Sequence, residues 1–368
     1  MPALSKLSDP ALGKRLLARV GERAARLAGR LGRRPVLMEV CGTHTVAISR
    51  SGLRSLLEET LELRSGPGCP VCVTAAEDLD AAIALARLPG VTVATFGDMV
   101  RVPGSASSLE EERARGARVQ VVYSPLEAVE LADSRPDEEV VFLGAGFETT
   151  APLTALCLIE AHRRRLPNFS VLSLHKLVPP ALKALLADPD LGIDGLLLPG
   201  HVSAIIGRQA YGFIAGEYGV PAVISGFESL DILGAIYFLL EMLEKGEPEV
   251  LNGYTRVVKE EGNRQARAVM AECFGVTAAS WRGLGEIPAS GLRLQGDYVT
   301  YDAAARFPVP KKPARPRAGC RCEDLLKGKL TPPECPLFAR SCTPARPVGP
   351  CMVSSEGACA AYYQYERT

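Results

Sequence analysis

The clearest indication of the fold is the stretch Val140-Val-Phe-Leu-Gly-Ala-Gly-Phe-Glu-Thr-Thr-Ala-Pro152. It opens with a run of large apolar residues that no polar residue interrupts, and it continues into a loop rich in glycine and threonine. Such runs are typical of strands buried on both faces of a parallel sheet. The same succession of apolar run, glycine loop and helical periodicity occurs at 35–40, 91–95, 170–174, 195–198 and 222–225. The sequence therefore predicts an α/β fold.

The length of the chain predicts more than one domain. A chain of 368 residues exceeds the usual prior of ~150 residues for each domain. We expect two similar parallel-sheet α/β lobes, at 1–125 and 126–235, followed by a helical and loop-rich C-terminal region at 236–368. The Pro-, Lys- and Arg-rich segment 308–319 is the clearest predicted linker.

Charge and hydropathy exclude several classes of partner. The 42 basic and 42 acidic residues give a formal net charge of +0, so no overall field attracts nucleic acid or anionic lipid. No stretch reaches the ~18 apolar residues of a membrane span, and the charged N-terminus lacks the pattern of a signal peptide. We expect a cytoplasmic protein without membrane or nucleic-acid contacts, in which thiols stay reduced, catalytic or metal-bound.

The loops that follow the predicted strands carry the candidate functional residues. In parallel sheets, functional groups lie where strands end at their carboxyl side, so we expect a site between the two lobes. Gly144-x-Gly146 resembles a dinucleotide-binding loop only in part, because Thr149 occupies the third glycine position. Asp98 and Glu148 could act in acid–base chemistry or support an iron site, or could simply cap helices. The residues in these loops are Cys41, His44, Asp98, Glu148, Thr149, Thr150 and His201.

Cys69-Pro-Val-Cys72 follows Gly66-Pro-Gly68 and precedes a predicted helix that begins near Thr74. The spacing of this CxxC pair allows a reversible disulfide, and a helix N-terminus can lower the pKa of one thiol. The same spacing is also half of a zinc site, although a second CxxC is absent from the sequence. A redox dithiol, a metal-binding pair and a structural pair all remain open.

Six of the 11 cysteines lie within the last fifty residues. Their irregular, proline-broken spacing favours an iron–sulfur cluster over a zinc ribbon, which uses two CxxC pairs. Zinc, disulfides and free thiols remain alternatives. A Cys-x-Cys pair is cramped, so we expect one of Cys320 and Cys322 to bind the cluster, and we select Cys322. The predicted ligands are Cys322, Cys335, Cys342 and Cys359, with Cys320 and Cys351 held in reserve.

Five motifs together resemble the HypD family of [NiFe]-hydrogenase maturation proteins. They extend over essentially the whole chain and occur in the expected order. The motifs are Glu39-Val-Cys-Gly-Thr-His-Thr45, Gly66-Pro-Gly-Cys-Pro-Val-Cys72, Gly146-Phe-Glu-Thr-Thr-Ala-Pro152, Pro199-Gly-His-Val202 and Gly349-Pro-Cys-Met-Val-Ser-Ser-Glu-Gly-Ala-Cys359.

The resemblance implies a scaffold on which the Fe(CN)2CO unit of the hydrogenase active site is assembled. Cys41 would hold the iron together with a cysteine of a HypC-type chaperone, and His44 would orient or assist that site. A HypE-type partner would donate cyanide from a thiocyanate, and the finished unit would pass to the hydrogenase large subunit through HypC. Cys69 and Cys72 would form a dithiol that relays electrons from a [4Fe–4S] cluster held by the C-terminal cysteines.

Two other functions remain open from the residues themselves. A stand-alone iron–sulfur oxidoreductase would use Cys69 and Cys72 on disulfide substrates, and a zinc-stabilised binding protein would have no redox chemistry. The sequence does not decide whether the chain has any turnover of its own. His201, like Glu148, is a candidate for the cleft because glycine lets its loop approach closely.

Overall fold

A computed structural model describes residues 9–309 and 318–366. It contains two fully parallel sheets and one antiparallel hairpin, which confirms the predicted α/β class with two parallel-sheet lobes and a cysteine-rich C-terminal region. The strands are β1 (Val36–Glu39), β2 (Glu62–Ser65), β3 (Val91–Thr95), β4 (Arg118–Val121), β5 (Glu139–Gly146), β6 (Phe169–His175), β7 (Gly195–Pro199), β8 (Ala222–Ser225), β9 (Val250–Asn252), β10 (Phe274–Trp281) and β11 (Gly285–Leu294).

Helices cover both faces of the sheets and connect most of the strands. The helices are α1 (Pro10–Leu31), α2 (Gly42–Arg50), α3 (Leu53–Leu57), α4 (Pro70–Val73), α5 (Ala76–Ala86), α6 (Gly97–Val100), α7 (Leu109–Ala114), α8 (Pro125–Ser134), α9 (Ala151–Arg164), α10 (Val178–Leu186), α11 (Gly200–Ile206), α12 (Gly212–Tyr218), α13 (Ser229–Lys245), α14 (Arg264–Cys273), α15 (Ala303–Arg306), α16 (Cys322–Leu326), α17 (Pro350–Val353) and α18 (Ala358–Tyr365). Short 3-10 helices occupy Arg208–Tyr211, Gly296–Tyr301 and Pro332–Glu334.

The two parallel sheets interleave along the chain. The first sheet has the strand order β2-β1-β7-β8-β9, and the second has the order β4-β3-β5-β6. The second sheet is thus built from one continuous stretch, whereas the first combines strands from before and after it. Strands of each sheet consequently lie on both sides of the predicted boundary at residue 125, and that division of domains stays a prediction.

All six apolar runs that predicted strands form strands in the structure. In β1, β3, β7 and β8 every residue is buried, because helices pack on both faces of each sheet. On one face of the first sheet, α1 packs along α13, where Arg23 donates hydrogen bonds to Glu244 and to the Tyr237 hydroxyl.

The hairpin of β10 and β11 extends the region around β6. The backbone N–H of Leu177 donates to the carbonyl of Ser290, and the Ser173 hydroxyl donates to the carbonyl of Leu292. The hairpin turn, at 281–285, lies near the C-terminal cysteines. Most of the predicted linker at 308–319 lies outside the described residues. Within 9–309 and 318–366, none of the helices combines the length and the apolar character needed to cross a membrane.

Candidate functional site

Cys41 stands at the carboxyl end of β1 and immediately precedes α2. Its backbone is extended, with φ of −153°, and its side chain is only 7% exposed. Burial raises the pKa of the Cys41 thiol to about 12, opposed by hydrogen bonds from backbone N–H groups of the same loop. The thiol is therefore protonated at neutral pH, and a metal cation would have to displace that proton to bind sulfur.

Glu39 is a buried carboxylic acid beside Cys41 to which the sequence analysis gave no role. The Thr45 hydroxyl donates a 2.7 Å hydrogen bond to Glu39 Oε1, and the backbone N of Cys41 lies 3.5 Å from Glu39 Oε2. Burial raises the pKa of Glu39 to about 7. The carboxyl group thus ties together the two ends of the Cys41 loop. The sequence could have indicated this role, because Glu39 stands two residues before Cys41 at the end of a predicted strand.

The structure brings His44 and His201 together, with Phe227 between them. The ring centroids of His44 and Phe227 are 4.7 Å apart, and those of Phe227 and His201 are 4.0 Å apart. His44 Nε2 donates to the carbonyl of Gly226 over 2.9 Å, whereas its buried Nδ1 has no hydrogen-bond partner among the residues that the structure describes. Burial lowers the pKa of His44 to about 4, so its imidazole is neutral at pH 7 and Nδ1 can accept a hydrogen bond.

Glu356 reaches the same loop from the C-terminal segment. The Thr43 hydroxyl donates a 2.7 Å hydrogen bond to Glu356 Oε1. The Glu356 carboxylate also acts electrostatically on both Cys41 and His201. Glu356 lies within the last of the five motifs, but nothing in its local sequence indicates that it meets a loop more than 300 residues away.

Cys69 and Cys72 form a disulfide with their α-carbons 5.2 Å apart, and both are buried. The preceding Gly68 touches the Cys41 loop, since its carbonyl accepts a 3.0 Å hydrogen bond from the N–H of Gly42. A Cβ atom on Gly68 would come within 2.1 Å of the Cys41 nitrogen, so only glycine permits this approach. The predicted dithiol and the predicted iron ligand are therefore adjoining parts of one site.

All six C-terminal cysteines line one small pocket, together with apolar residues that include Leu325, Leu337 and Phe338. Burial raises the pKa of Cys320 to about 12 and also raises that of Cys359. Cys322 and Cys351 stand apart from the other four, because their sulfur atoms are only 2.7 Å from each other. A hydrogen bond from Cys351 lowers the pKa of Cys322, and the same contact raises that of Cys351.

The donor set of this pocket fits an iron–sulfur cluster. Four thiolates in an apolar setting are what such a cluster requires, and the pocket offers six. Across residues 9–309 and 318–366, no group of three or more Cys, His, Asp or Glu side chains is arranged to hold a single metal ion. The thiolates of a four-iron cluster bind four different iron atoms, so they do not need to converge on one point.

Helix contacts join the cysteine pocket to the rest of the site. Helix α17, which carries Cys351, packs against α4, the helix of the CxxC pair. Helix α18, which begins one residue before Cys359, packs against α2, the helix that follows Cys41. The segment that carries the cysteine pocket therefore packs against both the CxxC helix and the helix that follows Cys41.

Glu148 lies apart from these contacts. Its Oε1 accepts a 2.9 Å hydrogen bond from the backbone N–H of Val178 at the start of α10, and its buried Oε2 has no hydrogen-bond partner within 9–309 and 318–366. Burial raises the pKa of Glu148 to about 7. The buried hydroxyl of Tyr211 is within electrostatic reach of both Glu148 and Cys41, which is the connection that the structure shows between Glu148 and the cleft.

The structure is that of an α/β protein that brings the buried thiol of Cys41, a disulfide and a cysteine-lined pocket into one region. The family model HypD, described as "Hydrogenase formation hypA family", matches residues 14–366. The chain belongs to this family of hydrogenase maturation factors.

Relatives match the chain from end to end. It is 46% identical to the hydrogenase maturation factor HypD of Rhodobacter capsulatus over 374 residues, which covers 99% of this chain and 98% of that protein. It is 45% identical to the factor of the same name from Azotobacter vinelandii, with 100% and 97% covered. Identity to the HypD factor of Escherichia coli (strain K12) is 46%, with 96% and 95% covered.

Proposed function

We propose that this protein is a scaffold on which the Fe(CN)2CO unit of [NiFe]-hydrogenase is assembled, with Cys41 as an iron ligand. The observation that carries the proposal is the direct contact of the Cys41 loop with the Cys69–Cys72 loop, through the Gly42 and Gly68 backbone. A metal-binding thiol and a two-electron carrier thereby share one site. The family membership gives the general role in hydrogenase maturation, and this contact supports the specific chemistry.

Cys41 supplies one soft ligand, and a cysteine of a HypC-type chaperone supplies another. Thiolates suit low-spin ferrous iron that carries cyanide and carbon monoxide, which are strong-field ligands. The iron unit is cargo, so it leaves with the chaperone for the hydrogenase large subunit. The His44 imidazole, neutral at pH 7, orients or assists the site, and the proton that Cys41 loses when iron binds leaves to solvent.

Delivery of cyanide requires reduction. A HypE-type partner presents cyanide as a thiocyanate, R–S–C≡N, whose cleavage to R–SH and cyanide consumes two electrons and one proton. The dithiol of Cys69 and Cys72 gives up two electrons and two protons when it closes to the disulfide. One proton goes to the donor sulfur, and the other is released as cyanide binds iron as an anion.

A [4Fe–4S] cluster in the cysteine pocket would supply single electrons. Cys335, Cys342 and Cys359 are proposed ligands, in agreement with the prediction from spacing. For the fourth we propose Cys320 in place of the predicted Cys322, because the sulfur of Cys322 is already engaged with that of Cys351 at 2.7 Å. The reserve pair then becomes Cys322 and Cys351.

The alternative function is a stand-alone disulfide oxidoreductase, which the observed disulfide would suit. Thiols that react with external disulfides are partly exposed, whereas Cys69 and Cys72 are 4% and 1% exposed. Burial therefore disfavours the disulfide of another folded protein as the substrate, whereas a thiocyanate on the C-terminal cysteine of a HypE-type partner needs only a narrow approach to the pair.

The scaffold proposal is tested by infrared spectroscopy of the protein co-purified anaerobically with a HypC-type chaperone. We expect cyanide and carbonyl bands in the native complex, and their loss in Cys41→Ala. Cys157→Ala is the matched control, because Cys157 is also a buried free cysteine but lies within α9. Bands that persist in Cys41→Ala would refute the role of Cys41. A brown protein without bands, when all partners are present, would favour the oxidoreductase.

A further inference from the structure

Arg282, in the turn of the β10–β11 hairpin, lies between the CxxC helix and the cysteine pocket. Its backbone N–H donates a 2.9 Å hydrogen bond to the carbonyl of Val73, and its Nε donates a 3.1 Å bond to the carbonyl of Thr74. An isolated β-bridge between Thr74 and Trp281 fixes the same junction. The hairpin turn is therefore attached to the residues that end α4, directly after Cys72.

The other side of the same turn meets the cysteine pocket. Gly283 has φ of +79°, and a Cβ atom there would lie 2.9 Å from the Cα of Glu323, the neighbour of Cys322. The positive φ and this close approach both require glycine. The guanidinium of Arg282 is within electrostatic reach of Cys322. One short turn thus contacts the end of the CxxC helix on one side and the start of α16, next to Cys322 of the cysteine pocket, on the other.

Part of the Arg282 guanidinium is buried without a partner. Its Nη2 atom makes no hydrogen bond among the described residues, and Nε is the one guanidinium nitrogen that does. A buried, charged donor without a partner is costly. Such a cost is offset where negative charge develops nearby, as it does when sulfur groups are reduced.

We propose that Arg282 is a positioning residue that fixes the CxxC helix against the cysteine pocket and makes the Cys69–Cys72 disulfide easier to reduce. The inference rests on the proposed function for its biological meaning. Reduction adds two electrons, breaks the sulfur–sulfur bond and leaves two sulfur atoms that take up protons or stay anionic. The guanidinium is hydrogen-bonded to the carbonyl of Thr74, two residues after Cys72, and a cation fixed there favours the anionic form of the reduced pair, which shifts the equilibrium toward the dithiol.

The experiment measures the equilibrium constant for reduction of Cys69–Cys72 in the full chain. The electrons come from dithiothreitol, which is oxidised to its cyclic disulfide, and thiols are trapped and quantified by mass spectrometry across a series of redox buffers. We expect Arg282→Gln to lower the constant about tenfold, which for this two-electron couple corresponds to about 30 mV. Arg282→Lys keeps the charge but cannot reproduce the geometry, so we expect a decrease of about threefold.

Arg293→Gln is the matched control, because Arg293 lies on the same hairpin and is exposed. It should leave the constant unchanged. A constant that is also unchanged in Arg282→Gln would overturn the inference. Should that variant fail to fold, Arg282→Lys decides in its place, and a native constant there would overturn the inference as well.

The outcome is separable from that of the proposed function. If Cys69→Ser retains cofactor assembly, the electron relay is refuted whatever Arg282 does to the constant. If Cys69→Ser abolishes assembly while Arg282→Gln keeps the native constant, the relay stands and the role of Arg282 falls.

Discussion

The carboxyl group of Glu148 is 2% exposed, and burial raises its pKa to about 7 from an ordinary value of 4.5. The folded state therefore holds this proton at pH values where the unfolded chain has released it. By linkage, the free energy of unfolding falls as pH rises from about 4.5 to about 7. Glu148→Gln should remove this contribution, which is on the order of 3 kcal/mol at most. Urea denaturation at pH 5 and pH 8 measures it.

The exposed Glu247 provides the control for this experiment. Glu247→Gln should follow the pH dependence of the native chain, whereas Glu148→Gln should show a shallower one. Some dependence will remain in Glu148→Gln, because burial also raises the pKa of Glu39 to about 7. Identical pH dependences in the native chain and Glu148→Gln would contradict the assignment.

Cys320 and Cys322 differ by one contact, and that contact predicts different consequences of substitution. The sulfur of Cys322 faces that of Cys351 at 2.7 Å, whereas Cys320 has no such partner among the described cysteines. We expect Cys320→Ser to abolish the brown colour and bound iron of anaerobically reconstituted protein, and Cys322→Ser to retain both. Cys273→Ser, at a buried position in α14, is the control. Loss of bound iron in Cys322→Ser but not in Cys320→Ser would instead support Cys322 as the cluster ligand, as the spacing predicted.

At the scale of elements, Asp98 fastens the C-terminal segment to the second sheet. Located in α6, after β3, its Oδ2 accepts hydrogen bonds from the Ser354 hydroxyl and from the N–H and hydroxyl of Ser355, at 3.1 to 3.2 Å. The next residue is Glu356, which reaches the Cys41 loop. Asp98→Ala should destabilise this segment by about 2 kcal/mol and speed hydrogen–deuterium exchange in residues 350–358.

Asp98→Asn separates the size of this side chain from its charge. An amide oxygen can accept the same bonds but without the charge, so we expect intermediate exchange rates. Unchanged exchange in Asp98→Ala would show that Ser354 and Ser355 are held by other contacts. A uniform increase across the chain would instead indicate global destabilisation.

Most of the strands that the sequence predicted lie inside the sheets, whereas those it missed lie at sheet edges or in the hairpin; β6, the last strand of the second sheet, is the exception. The six predicted strands have continuous apolar runs because helices cover both of their faces. The edge strand β4 was missed because it alternates buried and exposed residues, as Arg118 and Gln120 show. The short edge strands β2 and β9 and the hairpin of β10 and β11 gave no such apolar signal either.

The candidate site was predictable where its residues follow strands, and not where distant segments meet. Cys41, His44 and His201 follow predicted strands, so the topology of parallel sheets already places them at one edge. Glu356 and Arg282 enter the region through contacts between residues that are far apart in sequence. Local composition carries no information about such contacts, and only the packed structure reveals them.

At the scale of the whole molecule, the C-terminal segment ties the cysteine pocket to the first sheet. Glu366 accepts hydrogen bonds from Ser49 in α2 and Arg54 in α3, and the Arg54 guanidinium lies 4.7 Å from the ring centroid of Tyr362. Along the chain, Glu356 and Cys359 lie between Ser355, which is bonded to Asp98, and Glu366.

A group bound by Cys359 therefore stabilises the segment that holds the Cys41 helix in place, because a ligand that binds only the folded pocket favours that fold. We expect Cys335→Ser, which removes one proposed cluster ligand that lies outside α18, to speed hydrogen–deuterium exchange several-fold in residues 42–50 as well as in 318–366. Hydrogen–deuterium exchange in α8, which packs on the second sheet, is the internal control and should not change. An increase confined to 318–366 would show that the pocket and the Cys41 loop are energetically independent.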